Sequence, residues 1–471
     1  VAGGNEVAVG TDGCDLHALQ QGNAGFKRGG RIARFMYDRI KGFRDTYPEE
    51  MGARRWLFDS IESTARGYGF REIDTPALER TEMYVDKSGE EIVEELYSFE
   101  DQGGRDVALT PELTPTVARM VAERGQELSK PIKWFSTRKF WRYEQVQQGR
   151  FREFYQTNVD IFGSAEPDAD AEILAVAAKM LTGLGLDPDD FEFRVSHRDV
   201  LGGLLESFEG SDEIDTEEAI RAVDKRTKLE RTEYLDELYA AGLSRDQAEE
   251  FDALLETPEE DLDDLIEFAE NDRVTAAIEN LQAVLAAADD LGVREYCTLS
   301  LSTARGLDYY TGTVFECFDA TGEVSRAVFG GGRYNDLIGD LGGPDTPAVG
   351  FAPGDATLSL LCQRAGVWPE ESLTTDYYVL QAGETRPQAA ELARELRSRG
   401  HVVESDVADR GFGAQLNYAD SINAETVVIV GEQDLANDEY TIKDMDSGDQ
   451  TTVAVSEFPG DLERPTFEDF A

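Results

Sequence analysis

The stretch that decides the fold is Lys133–Gly163, KWFSTRKFWRYEQVQQGRFREFYQTNVDIFG. Aromatic-rich runs flank a polar break at Gln147-Gln148-Gly149-Arg150, the pattern of two strands joined as a hairpin. Side chains alternate faces along a strand. In the second arm Phe151, Tyr155, Val159 and Ile161 therefore share one side, and Arg152, Gln156, Asn158 and Asp160 the other. Even positions of the first arm carry Arg138, Arg142 and Glu144, so one face is apolar while the other offers acid, amide and guanidinium groups to a ligand. Gln156 and Asp160 stand roughly 13 Å apart along an extended strand, enough to hold opposite ends of an amino-acid-sized molecule. Taken alone, such a hairpin is more often the solvated face of an antiparallel sheet.

Several residue types at fixed offsets sharpen the reading. Arg142-Tyr143-Glu144, then Phe154, then the strand Gln156 to Asp160 resemble motif 2 of the class II aminoacyl-tRNA synthetases, in the histidyl-tRNA synthetase form. Upstream, Met51, Trp56, Phe58 and Ile61 give helical spacing between Glu49 and Gly67, and Gly67-Tyr68-Gly69 stops the helix. Phe70 to Glu79 then reads as a strand ending at Pro76, and the pair is similar to motif 1, which forms the dimer interface in that family. At Leu109-Thr110-Pro111-Glu112-Leu113-Thr114-Pro115 a strand turns into a helix, with Thr114 the expected N-cap and Pro115 at the first helical position.

Ala304 to Glu316 contains RGLDYY at Arg305–Tyr310, which resembles the signature of histidyl-tRNA synthetases and their paralogues. Phe329-Gly330-Gly331-Gly332-Arg333-Tyr334 is similar to the family's glycine-rich element, although Asn335 stands where aspartate is usual. Ala348 to Leu361 occupies the place of motif 3 but departs from it: Thr357 stands where the family has the arginine that holds the ATP γ-phosphate. A helix N-terminus near Gly354 could hold phosphate, but Asp355 would oppose it, which leaves Arg150, Arg333 and Mg²⁺ to compensate.

The resemblance implies a division of labour. Arg142 and Arg305 would oppose the charge on the reacting phosphate. Glu112, Leu113, Thr114, Gln156, Asp160, Tyr309 and Tyr310 would hold L-histidine. Arg142, Glu144, Arg150, Phe154, Arg305 and Arg333 would hold ATP, with Mg²⁺ arriving on the nucleotide and no metal site built by the protein. The reaction implied is ATP-dependent attachment of histidine to tRNA(His) through a histidyl-adenylate. The rival is a regulatory paralogue that senses histidine for ATP phosphoribosyltransferase; Thr357 leans toward it, RGLDYY and the C-terminal module against it.

The expected fold class is α+β: an antiparallel-sheet catalytic domain of class II type over 36–364, with a helical insertion at about 195–294, and an α/β anticodon-binding domain over 375–471. Acidic helical runs such as Leu262 to Ala269 and Ile278 to Leu285 mark the insertion, whose earlier part, with Phe193 and Val195, returns to the main sheet. Alternating strands and helices from Tyr377 to Val430, then a hairpin turning at Asp446 to Asp449, mark the C-terminal domain. Residues 1–35 are glycine-rich and aperiodic, and are expected to be a disordered extension or a mis-set start before Met36.

Composition bounds the partners. The 471 residues hold 45 Lys and Arg against 96 Asp and Glu, a net charge of −51, and only ten of the 45 are lysines. Excess acid ordinarily argues against nucleic acid, so contact with tRNA requires local arginines, base edges and stacking. Cys14, Cys297, Cys317 and Cys362 form no CxxC pair, and His17, His197 and His401 form no cluster, so neither a zinc site nor histidine-based catalysis is indicated. No run suits a membrane span or a secretory signal, and the chain is expected to be cytoplasmic; the resemblance to motif 1 implies a homodimer through that region.

An acidic surface of this density implies a salt-loving source of haloarchaeal type. Its self-repulsion fades only where the Debye length shrinks to about 3 Å, near 1 M salt. Stepping KCl down from molar concentration should cost both activity and native tryptophan fluorescence; retention of both in dilute buffer would remove the idea.

Overall fold

The hairpin forms the spine of the structure. In a computed structural model that describes residues 37–85, 90–226, 229–303, 309–324, 326–369 and 375–458, strands Ile132–Trp141 and Glu153–Phe162 pair antiparallel, with Arg138 opposite Gln156 and Trp134 opposite Asp160. The expected extension over 1–35 lies outside the described residues. At the far end of the hairpin Gln147 and Arg150 close a bridge, N–H of each to the carbonyl of the other at 3.3 and 3.0 Å.

Six more strands complete an eight-stranded sheet. Its order is Arg71–Glu72, Ile132–Trp141, Glu153–Phe162, Ala348–Phe351, Phe329–Arg333, Thr313–Asp319, Phe191–His197 and Cys297–Leu299. The interior pairings are antiparallel, as expected of the class II sheet, and the short strand at each edge runs parallel to its neighbour. The stretch Phe70 to Glu79 is not one strand. Arg71–Glu72 joins the main sheet and Leu78–Arg80 joins a separate three-stranded sheet. The break falls at Asp74-Thr75-Pro76, where Asp74 accepts from the Thr75 N–H at 2.8 Å and Pro76 has no N–H to extend a ladder.

The odd-numbered side chains of the second arm, Tyr155, Val159 and Ile161, pack under helices Pro48–Gly67 and Pro167–Gly183. Helix Pro167–Gly183 buries residues around most of its circumference, as expected of a helix sandwiched between layers. The helical insertion follows strand Phe191–His197, which does return to the sheet. Its helices do not build an interior of their own: Leu204, Tyr234, Phe251, Leu265 and Ile278 belong to the same apolar cluster as Phe135, Val159, Phe193 and Phe315 of the sheet. His197 caps the first of them, its Nδ1 accepting from the Asp199 N–H at 3.2 Å, and burial pushes its imidazole down to about 4. A second sheet, Val403–Ser405, Thr375–Ala382, Ala424–Gly431, Glu439–Asp444 and Gln450–Ala454, occupies the C-terminal part, parallel at first and ending in the expected hairpin.

Arg333 corrects one expectation. Its neighbours in the strand alternate: a Cβ on Gly331 would meet Phe351 and Phe315 in the core, while one on Gly332 would meet Tyr310 on the opposite face. Arg333 shares the core side with Gly331, where it pairs with Asp170 of helix Pro167–Gly183 and donates to the Ser164 and Glu166 carbonyls. Both members are buried, Arg333 at 4% and Asp170 at 2% exposure. This is a rivet between sheet and helix, not a phosphate ligand. Arg333→Met strands the Asp170 carboxylate without its partner, so stability should fall by about 3–5 kcal/mol, read as an earlier urea midpoint at fixed molar salt.

Candidate active site

On the face of the sheet away from those helices lies a cavity of about 270 Å³. The even residues of the second arm, Phe154, Gln156, Asn158 and Asp160, run along its wall, as the alternation of the strand requires. Glu112, Thr114, Arg142, Glu144, Arg150, Tyr309 and Tyr310 complete much of the lining. Eight of the sequence-nominated residues are therefore brought together with Gln156 and Asp160 in one space.

Two nominated residues are placed elsewhere. Arg333 is on the far face, as described above. Leu113 is 1% exposed and packs with Val117 and Val121 in the apolar cluster beneath the cavity, so its side chain does not line it. Arg305 lies outside the described residues. Arg138 shares a register with Gln156 but turns sideways to donate to the carbonyl and hydroxyl of Thr75. The helix expected to start with Thr114 as cap begins at Thr114 itself, with Leu113 at the cap position and no side-chain cap bond. The Thr114 side chain instead lines the cavity and hydrogen-bonds with Tyr309.

The two ends of the cavity differ in chemistry. At the deep end Asp160, 3% exposed, accepts from the Tyr334 hydroxyl at 2.5 Å. Strand Ala348–Phe351 passes directly beside it, and a Cβ on Gly350 would collide with the Asp160 carboxylate, so only glycine leaves room. Burial pushes the Asp160 carboxyl up to about 7, and the bond from Tyr334 holds it back from rising further. Rings of Tyr309, Tyr310 and Tyr334 surround this end with centroids 5.0 to 6.5 Å apart. Tyr309 donates to Glu112 Oε2 at 3.1 Å. Burial raises the Tyr309 and Tyr334 phenols well above their ordinary range, which keeps both as hydrogen donors. Asn158 Oδ1 is buried here with no hydrogen-bond partner among the described residues, and such an acceptor ordinarily has one.

The other end is cationic. Arg142 lies over the Phe154 ring at 5.9 Å and its Nε donates to the Pro111 carbonyl at 2.9 Å. Arg150 pairs with buried Glu144 at 2.5 Å. Gln156 is held by donating to the Ala352 carbonyl at 3.1 Å. Asp355 does not oppose an anion as feared: it accepts from Arg44 at 2.8 Å and from the Tyr155 N–H at 3.0 Å, which satisfies and neutralises it. Among the described residues no group of three or more His, Cys, Asp or Glu side chains is disposed to hold a metal ion. Glu144 is the buried carboxylate that pairs with Arg150.

Sequence reasoning missed the polar lining residues Tyr334 and Arg326, and it assigned the lining residue Phe151 to the opposite face. Tyr334 was named only as part of the glycine-rich element, although strand alternation was the signal that sends it and Arg333 to opposite faces. Arg326 was missed outright, because nothing local distinguishes it from a surface arginine.

Comparison with known proteins agrees with this geometry. The family model described as "Histidyl-tRNA synthetase" matches residues 42–354, and that described as "Anticodon binding domain" matches 376–464. Histidine–tRNA ligase of Haloarcula marismortui is 72% identical over 436 residues, covering 93% of this chain and 100% of that protein. The enzyme of the same name from Natronomonas pharaonis is 68% identical, with the same coverage. Among solved structures, histidyl-tRNA synthetase from Nostoc superposes with a TM-score of 0.77 at 25% identity, over 90% of this chain and 98% of that one. A family match across most of the sheet-bearing region, with relatives this similar over their whole length, places the chain in the histidyl-tRNA synthetase family, with its class II catalytic fold and C-terminal anticodon-binding domain.

Proposed function

We propose that the cavity activates L-histidine with ATP and passes it to tRNA(His). The observation that carries this reading is the single space holding a buried acid beside tyrosines at one end and arginines at the other. The histidine carboxylate attacks the α-phosphorus of ATP, pyrophosphate leaves, and histidyl-adenylate forms. The terminal adenosine hydroxyl of the tRNA then attacks the carbonyl carbon and AMP leaves. No covalent bond to the enzyme forms, so the catalytic work is alignment and charge neutralisation.

Arg142 opposes the charge on the reacting phosphate, and Arg305 is assigned the same task from the sequence alone. Phe154 stacks on adenine. Glu112, Thr114 and Gln156 take the ammonium end of histidine, and Asp160 accepts from the imidazole N–H with Tyr310 alongside. Mg²⁺ bound to ATP would supply charge neutralisation on the phosphates, with buried Glu144 the residue that would hold it and Arg150 placed for the phosphate oxygens. The C-terminal domain reads the anticodon arm. Leu78, Val85 and Phe99, exposed by 43%, 51% and 50% on and beside the three-stranded sheet, support a homodimer through the motif 1 region. No helix is long and apolar enough to cross a membrane among the described residues, and a cytoplasmic location follows from the proposed role in translation. The regulatory paralogue is not favoured, since that subunit lacks the anticodon module matched at 376–464.

Histidine-dependent exchange of pyrophosphate into ATP at molar salt is the deciding assay, and its absence sinks the proposal. Asp160→Ala should raise KM for histidine by about 10-fold or more while leaving KM for ATP near wild type.

The same residue has an opposite effect on stability. Its folded pKa is raised, so the native state holds an extra proton between about pH 4 and about pH 7 and loses stability across that window as pH rises. Ligand-free Asp160→Asn should therefore melt above wild type at pH 8, with the gap narrowing at pH 5.5.

A further inference from the structure

Thr357, at the position where an arginine is expected, lines the cavity but brings no charge to it. Its hydroxyl donates to the Val328 carbonyl at 2.5 Å, and what it turns toward the hairpin connection is its methyl group. The point that a Cβ of Gly149 would occupy lies 3.5 Å from that methyl and 3.9 Å from Arg326 Nη1. Helix Asp355–Ala365, the connection Gln147–Arg150 and Arg326 thus converge on one spot. Gly149, at φ +70°, permits the approach, since a side chain there would press on Leu360 at 3.0 Å.

Arg326 lies in an unfavourable electrostatic position for a resting arginine. It is partly buried, and it donates a long hydrogen bond, 3.4 Å, to the Gln148 carbonyl. The neighbouring cation is Arg150, and the neighbouring anion, Glu144, is already paired with Arg150 at 2.5 Å. Burial and the Arg150 charge both press the guanidinium below its ordinary pKa. Two guanidinium groups and one carboxylate leave an excess positive charge facing a cavity, the arrangement that a polyanion relieves.

We propose that Arg326 binds the terminal phosphates of ATP, supplying from the segment before the glycine-rich strand the guanidinium that the first turn of helix Asp355–Ala365 lacks. This rests on the reading of the cavity as the ATP site and goes beyond it by naming the residue that replaces the missing motif 3 arginine. Arg150 and Arg326 embrace the departing pyrophosphate from two sides, while Arg142, tied to Pro111 beside the histidine-binding turn, attends to the phosphate that reacts. A planar fork suits two phosphate oxygens better than an ammonium does, which makes lysine an imperfect substitute.

The test compares ATP with AMP, which lacks the terminal phosphates, by calorimetric titration of the full chain at one fixed molar KCl concentration. Arg326→Ala should weaken ATP about 10- to 100-fold and leave AMP unchanged, with Arg326→Lys losing less. Urea midpoints equal to wild type check that the variants fold, as expected for a partly exposed side chain. ATP affinity within twofold of wild type overturns the assignment, and so does an equal loss for ATP and AMP. If the wild-type protein binds neither nucleotide, the reading of the cavity fails first, an outcome distinct from both.

Discussion

Everything around the cavity is arranged to keep one carboxyl group out of water. Asp160 sits in the middle of the sheet, and such a group ionises reluctantly unless something in the site compensates it. The strand beside it gives up a side chain at Gly350 to make space, Tyr334 donates from just past the end of the next strand, Phe329–Arg333, and three aromatic rings exclude solvent. A ligand that brings a ring N–H completes the arrangement. In the proposed role, binding strength for histidine would come from a locally unfavourable apo state, a common way for sites to hold specificity in reserve.

The arginine-rich end poses the converse problem. On a chain with net charge −51, guanidinium groups facing one cavity stand out against the background. Molar salt screens the acidic exterior but reaches a half-buried cleft much less, so the charge of the local cations there is less attenuated. The surface and the site therefore operate in different electrostatic regimes.

Much of this was legible because period-2 alternation is a strong constraint: the wall Phe154, Gln156, Asn158, Asp160 follows from the sequence of one strand. What was not legible depended on neighbours distant in the chain. The partner of Arg333 is Asp170, more than 160 positions away, and nothing in the glycine-rich element announces it. The neutralisation of Asp355 comes from Arg44, over 300 positions upstream. Thr114 shifted by one position at its helix start, where boundaries are least determined by local sequence. Edge strands running parallel also escaped notice, since each is only two or three residues long.

The insertion between Phe191–His197 and Cys297–Leu299 enters and leaves through two strands of the main sheet, adjacent and parallel. Because its helices complete the sheet's own apolar interior, it behaves mechanically as a buttress rather than an appendage. Such a module is not interchangeable in evolution without refitting the surface it leans on. By the same continuity, a load applied to its outer helices reaches the strands that wall the cavity through close-packed side chains.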